Sequence, residues 1–328
     1  MNNRRLLKIV LKRVLAAIPL MFGITLLSFM IMRLAPGDPV MMFTDPTITI
    51  QDMAQLRQNL GLDQPLVIQY FAWLKQVLQG NLGVSFISGK PVLEAILERL
   101  PATLLLSISS LVMILLITFP LGLFSGYFKG SIFDDTVTVF TFVGLSIPTF
   151  WLGLVLILLF SLELNWFPTA GFLDPYLFDA GLFAQAGSVL HHLCLPLLTI
   201  VIGGIAGLTR YYRFGIIGIL NQDYIQAARA RGISENRLLT RHAVKNAILP
   251  IITILGLSLP GLIGGSFVIE YIFSWPGMGQ LGVNAVFSRD YPIIMGTILM
   301  SSTLIILGNL LADIVYVWVD PRISLSDA

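Results

Sequence analysis

Six long stretches of this 328-residue chain carry no Asp, Glu, Lys or Arg. They are Val14 to Met32, Ala102 to Phe128, Thr136 to Leu162, a run ending at Thr209 whose helical part is expected from near His191, Asn246 to Ile269, and Tyr291 to Ala312. A bilayer core requires about 20 mostly apolar residues per helix, and each stretch meets that length at a rise of about 1.5 Å per residue. Hydrophobic residues make up 56% of the chain and charged residues 12%, against roughly 45–50% and 25% in soluble domains. A soluble enzyme is therefore excluded, and the sequence predicts an all-α integral membrane protein with six transmembrane helices. The first stretch outruns the apolar region of a secretory signal and no small-x-small pattern follows before Arg33, so it is expected to be retained.

Charge sets the orientation. The 20 basic and 18 acidic residues nearly cancel, which speaks against a nucleic-acid binder. With both termini cytoplasmic, fourteen of the 20 Lys and Arg residues fall inside, as the positive-inside rule requires. The single cysteine, Cys194, excludes an intramolecular disulfide.

The segment from Arg33 to Leu100 is polar and falls outside under this topology. A helix is expected from Thr49 to Leu60. A second follows Pro65, with Val67, Tyr70, Phe71, Leu74, Val77 and Leu78 at helical spacing, and a third starts at Pro91 with Val92, Ala95, Ile96 and Leu100 on one face. Their apolar faces are expected to pack on the ends of the spans. Pro120, Pro148, Pro196, Pro250 and Pro260 each remove a backbone donor from a span, and Gly261, Gly264 and Gly265 permit close helix approach.

Between the fourth and fifth stretches, Asp223 is expected to cap a helix from Tyr224 to Arg231, ended by Gly232 in a left-handed conformation. Eight residues make about 12 Å of helix. Its small residues Ala227, Ala228 and Ala230 would admit another protein's surface to the backbone, and Arg229 and Arg231 would meet acidic groups there. A solvated basic loop is the competing reading. Gln226-Ala-Ala-Arg-Ala-Arg-Gly232, followed by Leu249-Pro250, resembles the EAA loop of permease subunits of ATP-binding-cassette importers. Gln226 stands where the general pattern has Glu, and Leu-Pro comes about five residues later than in sugar permeases. Both departures resemble the B-type permease of the oligopeptide, dipeptide and nickel importers.

The rest of the chain agrees with that resemblance. Its signatures are Pro36-Gly-Asp-Pro39, Gly61-Leu-Asp-Gln-Pro65, Gly83 with Ser85, Leu145-Ser-Ile-Pro148, Asp223-Tyr224, Gly264-Gly-Ser266 with Glu270, Trp275-Pro276-Gly277, Arg289-Asp-Tyr-Pro292 and Asp320-Pro-Arg322. The resemblance implies a type I importer transmembrane fold. It divides the chain into an N-terminal module at 1–99, a permease core at 100–319 and a cytoplasmic tail at 320–328. It also implies a second homologous permease, two ATPase subunits that carry ATP and Mg, and an extracytoplasmic solute-binding protein, in a prokaryotic inner membrane. The coupling loop would comprise Asp223, Tyr224, Gln226, Ala227, Ala228, Arg229, Ala230, Arg231 and Gly232. Gate or pathway candidates are Pro148, Gly264, Gly265, Glu270, Trp275, Pro276 and Gly277. Peptide is the implied cargo, with nickel or glutathione as alternatives within the family.

Other motifs are set aside. Gly277-Met-Gly-Gln-Leu-Gly282 matches the dinucleotide pattern GxGxxG, but Trp275-Pro276 precede it where a strand is needed, so a glycine-rich turn near Glu270 is expected. Gly83 to Lys90 has the wrong spacing for a phosphate loop and continues into Pro91. His191, His192 and Cys194 lack a metal-site spacing. Asn309 and Asp313 share a helix face and are expected to serve polar packing within the membrane. Glu270 is read as gate-lining or simply solvated at a span end. An intramembrane enzyme would need HExxH or a serine with its base, and neither occurs. A secondary carrier would use Asp313 or Glu270 as a proton site, and without an internal repeat it is the weaker reading.

Overall fold

A computed structural model describes residues 3–34, 61–244 and 267–319, with positions 55, 58 and 247 between them. The described residues are predominantly helical and contain no strand, only a single antiparallel bridge between Val84 and Pro91. The helices are α1 Asn3–Leu34, α2 Leu66–Leu78, α3 Val92–Tyr127, α4 Ile132–Ser146, α5 Thr149–Leu156, α6 Leu182–Leu220, α7 Asp223–Ala230, α8 Met278–Ser288 and α9 Tyr291–Val319. Among them, Val10–Leu34, α3, α6 and Tyr291–Leu311 are each long and apolar enough to cross a bilayer. The expected helix from Thr49 to Leu60 and most of the stretch from Asn246 to Ile269 lie outside the described residues.

The third apolar stretch is not one straight span. α4 ends at Ser146, and α5, continued by a π-helical segment Ile157–Glu163, leaves at 100° to it. Pro148 supplies the physical reason, since its ring forces the preceding residue out of helical geometry. Ile147 is extended, at φ −88° and ψ 121°. The bent pair adds one further span if it crosses as a unit.

The helix expected from Pro91 is also different. It does not stop before the second apolar stretch but runs on as the 36-residue α3, with Pro101 inside it. Likewise α6 starts at Leu182, nine residues before His191.

The chain divides into two compact units, one of residues 1–103 with 276–306 and the other of residues 104–275 with 307–328. In the first, Val92, Ala95 and Ile96 of α3 bury against Met278 and Ala285 of α8 and Ile293 of α9. Gly296 is required there, because a side chain would run into Val92 and Ile96. The Thr103 hydroxyl accepts the Met278 N–H at 2.8 Å, satisfying a donor of the first α8 turn. A smaller cluster joins Phe29 of α1, Tyr70 of α2 and Met295 of α9, and the Tyr70 and Thr25 hydroxyls hydrogen-bond at 2.9 Å.

The second unit is built on α6. Tyr212 and Ile216 are buried with Ile114, Val201 and Leu208 in its main cluster. Glycines let α3 approach: a Cβ on Gly126 would lie 2.9 Å from the Arg213 carbonyl and from Ile216, and one on Gly122 would lie 2.8 Å from the Tyr212 ring. A second cluster packs Leu156 and Leu195 with Ile269 and Phe273.

Candidate functional site

Two residues, Asn221 and Gln222, separate the end of α6 from the short helix α7. Asp223 is its first residue rather than its cap. Gln222 takes the cap position without a side-chain bond, so Asp223 contributes only negative charge at the positive helix end. The C-terminal end follows expectation. Gly232 has φ +78°, and the Gly232 N–H and Ile233 N–H donate to the carbonyls of Arg229 at 3.0 Å and Ala228 at 3.3 Å. This is a Schellman closure, in which glycine avoids the strain of the left-handed region.

One side chain anchors the helix. Ile225 is 0% exposed, and α7 packs on the π-helical segment Leu238–Ala243, whose Leu238 is buried. Asp223, Tyr224, Gln226, Ala227, Arg229, Ala230, Arg231 and Gly232 are exposed, and Ala228 is half-buried. Tyr224, Ala227 and Ala230, spaced by three, share the outward stripe. Arg229 bridges Glu235 through Nε to Oε1 at 2.5 Å and Nη2 to Oε2 at 3.1 Å. The bond to Arg229 holds the Glu235 carboxyl below its ordinary value, and Glu235 raises the guanidinium in return.

A cavity of about 230 Å³ lies beside α7, lined by Gly126, Tyr127, Lys129, Ile217, Leu220, Asn221, Gln226 and Arg229. Among the described residues, its lining includes two cations and no carboxylate.

A buried ion pair lies in the same unit, between α4 and α6. Asp134 is 1% exposed. Arg213 grips it in a fork, Nε to Oδ1 at 2.5 Å and Nη2 to Oδ2 at 2.7 Å. The Ser125 hydroxyl donates to Oδ1 at 2.5 Å and the Gly130 N–H to Oδ2 at 2.9 Å. Ser131 caps α4 by accepting the Asp134 N–H at 3.2 Å. A carboxylate so fully met is the condition under which a buried charge is tolerated. In the sequence Arg213 is one of the fourteen basic residues expected on the cytoplasmic side, and nothing there pairs it with Asp134. The available signal was Ser131 three residues before Asp134, a capping pattern with an acid at its third position.

Ser85 and Asp290, from the Gly83–Ser85 and Arg289-Asp-Tyr-Pro292 motifs, meet in the first unit. The Ser85 hydroxyl donates to Asp290 Oδ2 at 2.5 Å, and the Phe86 N–H donates to Oδ1 at 3.2 Å.

Five of the seven gate candidates lie among the described residues. Pro148 opens α5 after the bend. Glu270 is 0% exposed, which removes the simply solvated reading. Its carbonyl accepts the Trp275 N–H at 2.8 Å, and the fully buried Trp275 ring meets Phe172 edge-on at 4.8 Å. Pro276 precedes α8 and Gly277 is its cap. The expected glycine-rich turn is therefore the first turns of a helix, in which Gly279 and Gly282 are buried. Gly264 and Gly265 lie outside the described residues.

His191, His192 and Cys194 find local partners. The His191 ring bonds the Trp166 carbonyl at 2.8 Å, His192 the Ser188 carbonyl at 2.8 Å, and the Cys194 thiol donates to the Leu190 carbonyl at 3.2 Å. Asn309 is half-buried on α9, and the Asp313 side chain lies outside the described residues.

Apolar spanning helices, a proline-bent pair and a short helix presented on one buried isoleucine define a membrane subunit of a transport system. The chain belongs to the family of binding-protein-dependent transport system inner membrane components, whose description matches residues 118–325, with the N-terminal component of the same systems matching residues 6–107. It is 46% identical over 316 residues to the oligopeptide transport system permease protein AppB of Bacillus subtilis, covering 96% of this chain and 98% of that one. It is 37% identical over 335 residues to the dipeptide transport system permease protein DppB of Escherichia coli, covering 97% and 99%. Among solved structures, an inward-facing MetNI methionine ABC transporter matches with a TM-score of 0.55 at 17% identity, over 70% of this chain and 97% of that chain. That likeness establishes the fold as one of an ABC transporter membrane subunit.

Proposed function

We propose that this chain is one of two homologous membrane subunits of an ATP-driven peptide importer, and that α7 is the element through which ATPase subunits move it. The observation that carries this reading is the presentation of α7. Its outward stripe of Tyr224, Ala227 and Ala230 is exposed while Ile225 is fully buried beneath it. Small residues bring the helix backbone close to a partner, and the buried isoleucine ties any displacement of α7 to its own unit. Lys129 in the lining of the cavity beside α7, where no acid is found among the described residues, suits a carboxylate of that partner.

In this reading ATP and Mg reside in the separate ATPase subunits, and this chain catalyses no reaction. Six spans place both termini in the cytoplasm of a prokaryotic inner membrane. Residues 1–99 form an N-terminal module, 100–319 the permease core and 320–328 a cytoplasmic tail. Glu270, Trp275 and the bend at Pro148 belong to the path or its gate, and a solute-binding protein delivers cargo from outside. Peptide is favoured as cargo because the oligopeptide and dipeptide permeases are similar along nearly the whole chain. ATP and substrate binding would select between helix arrangements rather than act through local chemistry.

The test is affinity purification of the tagged chain from native membranes, followed by reconstitution with the recovered subunits and assay of labelled di- and oligopeptide uptake. Recovery of a second permease and ATPases, with uptake that requires ATP, is expected. Uptake by this chain alone, driven by a proton gradient, would overturn the reading.

A further inference from the structure

The first unit contains a cavity of about 650 Å³ that the transport reading does not use. That volume is within the range of ligand sites. Its walls are largely apolar, with Phe29, Met32, Ile68, Trp73 and Met295 among them. Among the described residues of its lining, Arg33 is the one that carries a charge. The guanidinium lies over the Phe29 ring at 5.3 Å, and among the described residues it forms no ion pair.

Position identifies the class of occupant. Arg33 is in the last turn of α1, where a basic residue reaches the headgroup layer. The same helix exposes Leu27, Ile31 and Leu34, as a lipid-facing span does. α2 has 13 residues, too few to cross, yet it exposes Leu66, Val67, Ile68 and Phe71. An apolar helix of that length suits the interface, and Trp73 and Tyr291 in the lining match the aromatic enrichment found there. A free peptide carries an ammonium as well as a carboxylate, and the described residues of the lining include no acid for the first. One cation over an apolar trough instead matches a phosphate joined to an acyl chain.

We propose that this cavity is a binding site for one membrane phospholipid, with the phosphate on Arg33 and an acyl chain along Phe29, Ile68, Trp73 and Met295. The lipid would fill the space between α1, α2 and the start of α9 and so hold the first span against the rest of its unit. The site is independent of peptide as cargo and of α7 as the coupling element.

The experiment uses the full-length chain, purified in mild detergent with whatever subunits accompany it and analysed by native mass spectrometry for retained phospholipid. Wild type is expected to keep one phospholipid through extensive detergent washing. Arg33→Gln removes the charge, and Ala72→Trp fills the cavity from its lining without touching the charge. Arg33→Gln is expected to lower occupancy about tenfold, the loss of one charge-assisted contact, and Ala72→Trp to lower it by at least as much, because the indole takes the volume of the acyl chain. Lys75→Gln, at a neighbouring residue outside the lining, is expected to leave occupancy unchanged. Equal lipid retention in wild type, Arg33→Gln and Ala72→Trp would overturn the site, as would displacement of the bound molecule by a dipeptide but not by added phospholipid. Thermal unfolding of each variant separates lost lipid from lost fold, and Ala72→Trp keeps the proposal testable if Arg33→Gln is unstable.

Discussion

Ser85 and Asp290 stand 205 positions apart, and the hydroxyl of the first donates to the carboxylate of the second at 2.5 Å. Asp290 is 3% exposed, and its other oxygen accepts the Phe86 N–H. Ser85 also accepts the Ser88 N–H at 3.0 Å, so one hydroxyl holds both the turn and the link to the start of α9. Removing the carboxylate strands buried donors, at a cost of about 1–3 kcal/mol. Asp290→Ala is expected to lower the thermal midpoint of the purified protein in detergent and to open the 83–91 loop to protease. Ser85→Ala should produce a smaller loss, because Phe86 keeps its acceptor.

The outward stripe of α7 is tested by bulk. Ala227→Trp adds a large side chain at an exposed position, so the permease fold should be unchanged while ATPase association weakens by about tenfold or more, as for a disrupted interface centre. Gly232→Val acts differently, by forcing a β-branched residue to φ +78°, which costs roughly 1–3 kcal/mol and loosens the end of α7. Co-purification yields and thermal melts distinguish the two. Normal ATPase recovery with Ala227→Trp would remove the docking role.

Much of this was legible from apolar periodicity alone. The run at Val67 to Leu78 gave α2, and the charge-free stretches gave the four described helices long enough to cross and the bent pair. Direction was not legible: Thr136 to Leu162 is uninterrupted in hydrophobicity, and only the restriction that Pro148 places on Ile147 turns the chain by 100°. Nor was Asp134 legible, since its partner lies 79 positions away and an acidic pair, Asp134-Asp135, beside a positive-inside loop reads as solvated. For α7 the basic and small residues drew attention, whereas its single large apolar residue, Ile225, is the one that fixes its placement.

The Asp134–Arg213 pair predicts asymmetric mutational costs. Arg213→Met leaves a buried carboxylate with only Ser125 and Gly130 as donors, and breaking such a pair costs about 3–5 kcal/mol. The double variant Asp134→Leu with Arg213→Met removes both charges and is expected to recover most of that loss. A double-mutant cycle on thermal stability checks it, and additive losses would show that the pair is not energetically coupled.

The Arg229–Glu235 pair is exposed, and its pH response has a definite sign. The folded-state Glu235 carboxyl titrates below its ordinary value of 4.5, so its contribution is fully present above that value and is lost as pH falls through the depressed one. ATPase association should therefore be flat across roughly pH 6 to 8 and should respond to ionic strength instead, because exposed pairs are screened. Co-purification across a salt series and a pH series separates these effects.

Two glycines of the second unit should respond to alanine in opposite directions. Gly126 faces α6 so closely that a Cβ would meet the Arg213 carbonyl and Ile216 Cβ at 2.9 Å. The carbonyl is backbone and cannot rotate aside, so α3 and α6 must separate, at a cost of about 1–3 kcal/mol for overpacking. Gly218 lies on the same α6, two residues before its end, and a Cβ there meets nothing within 4 Å. Gly218→Ala gains only the helix preference of alanine over glycine, about 0.8–1 kcal/mol. Separation at Gly126 would also strain the Asp134 cluster, because Ser125 precedes it on α3 and Arg213 supplies the opposing carbonyl. Gly126→Ala combined with Arg213→Met should therefore cost less than the sum of the two single changes, whereas Gly218→Ala with Arg213→Met should be additive.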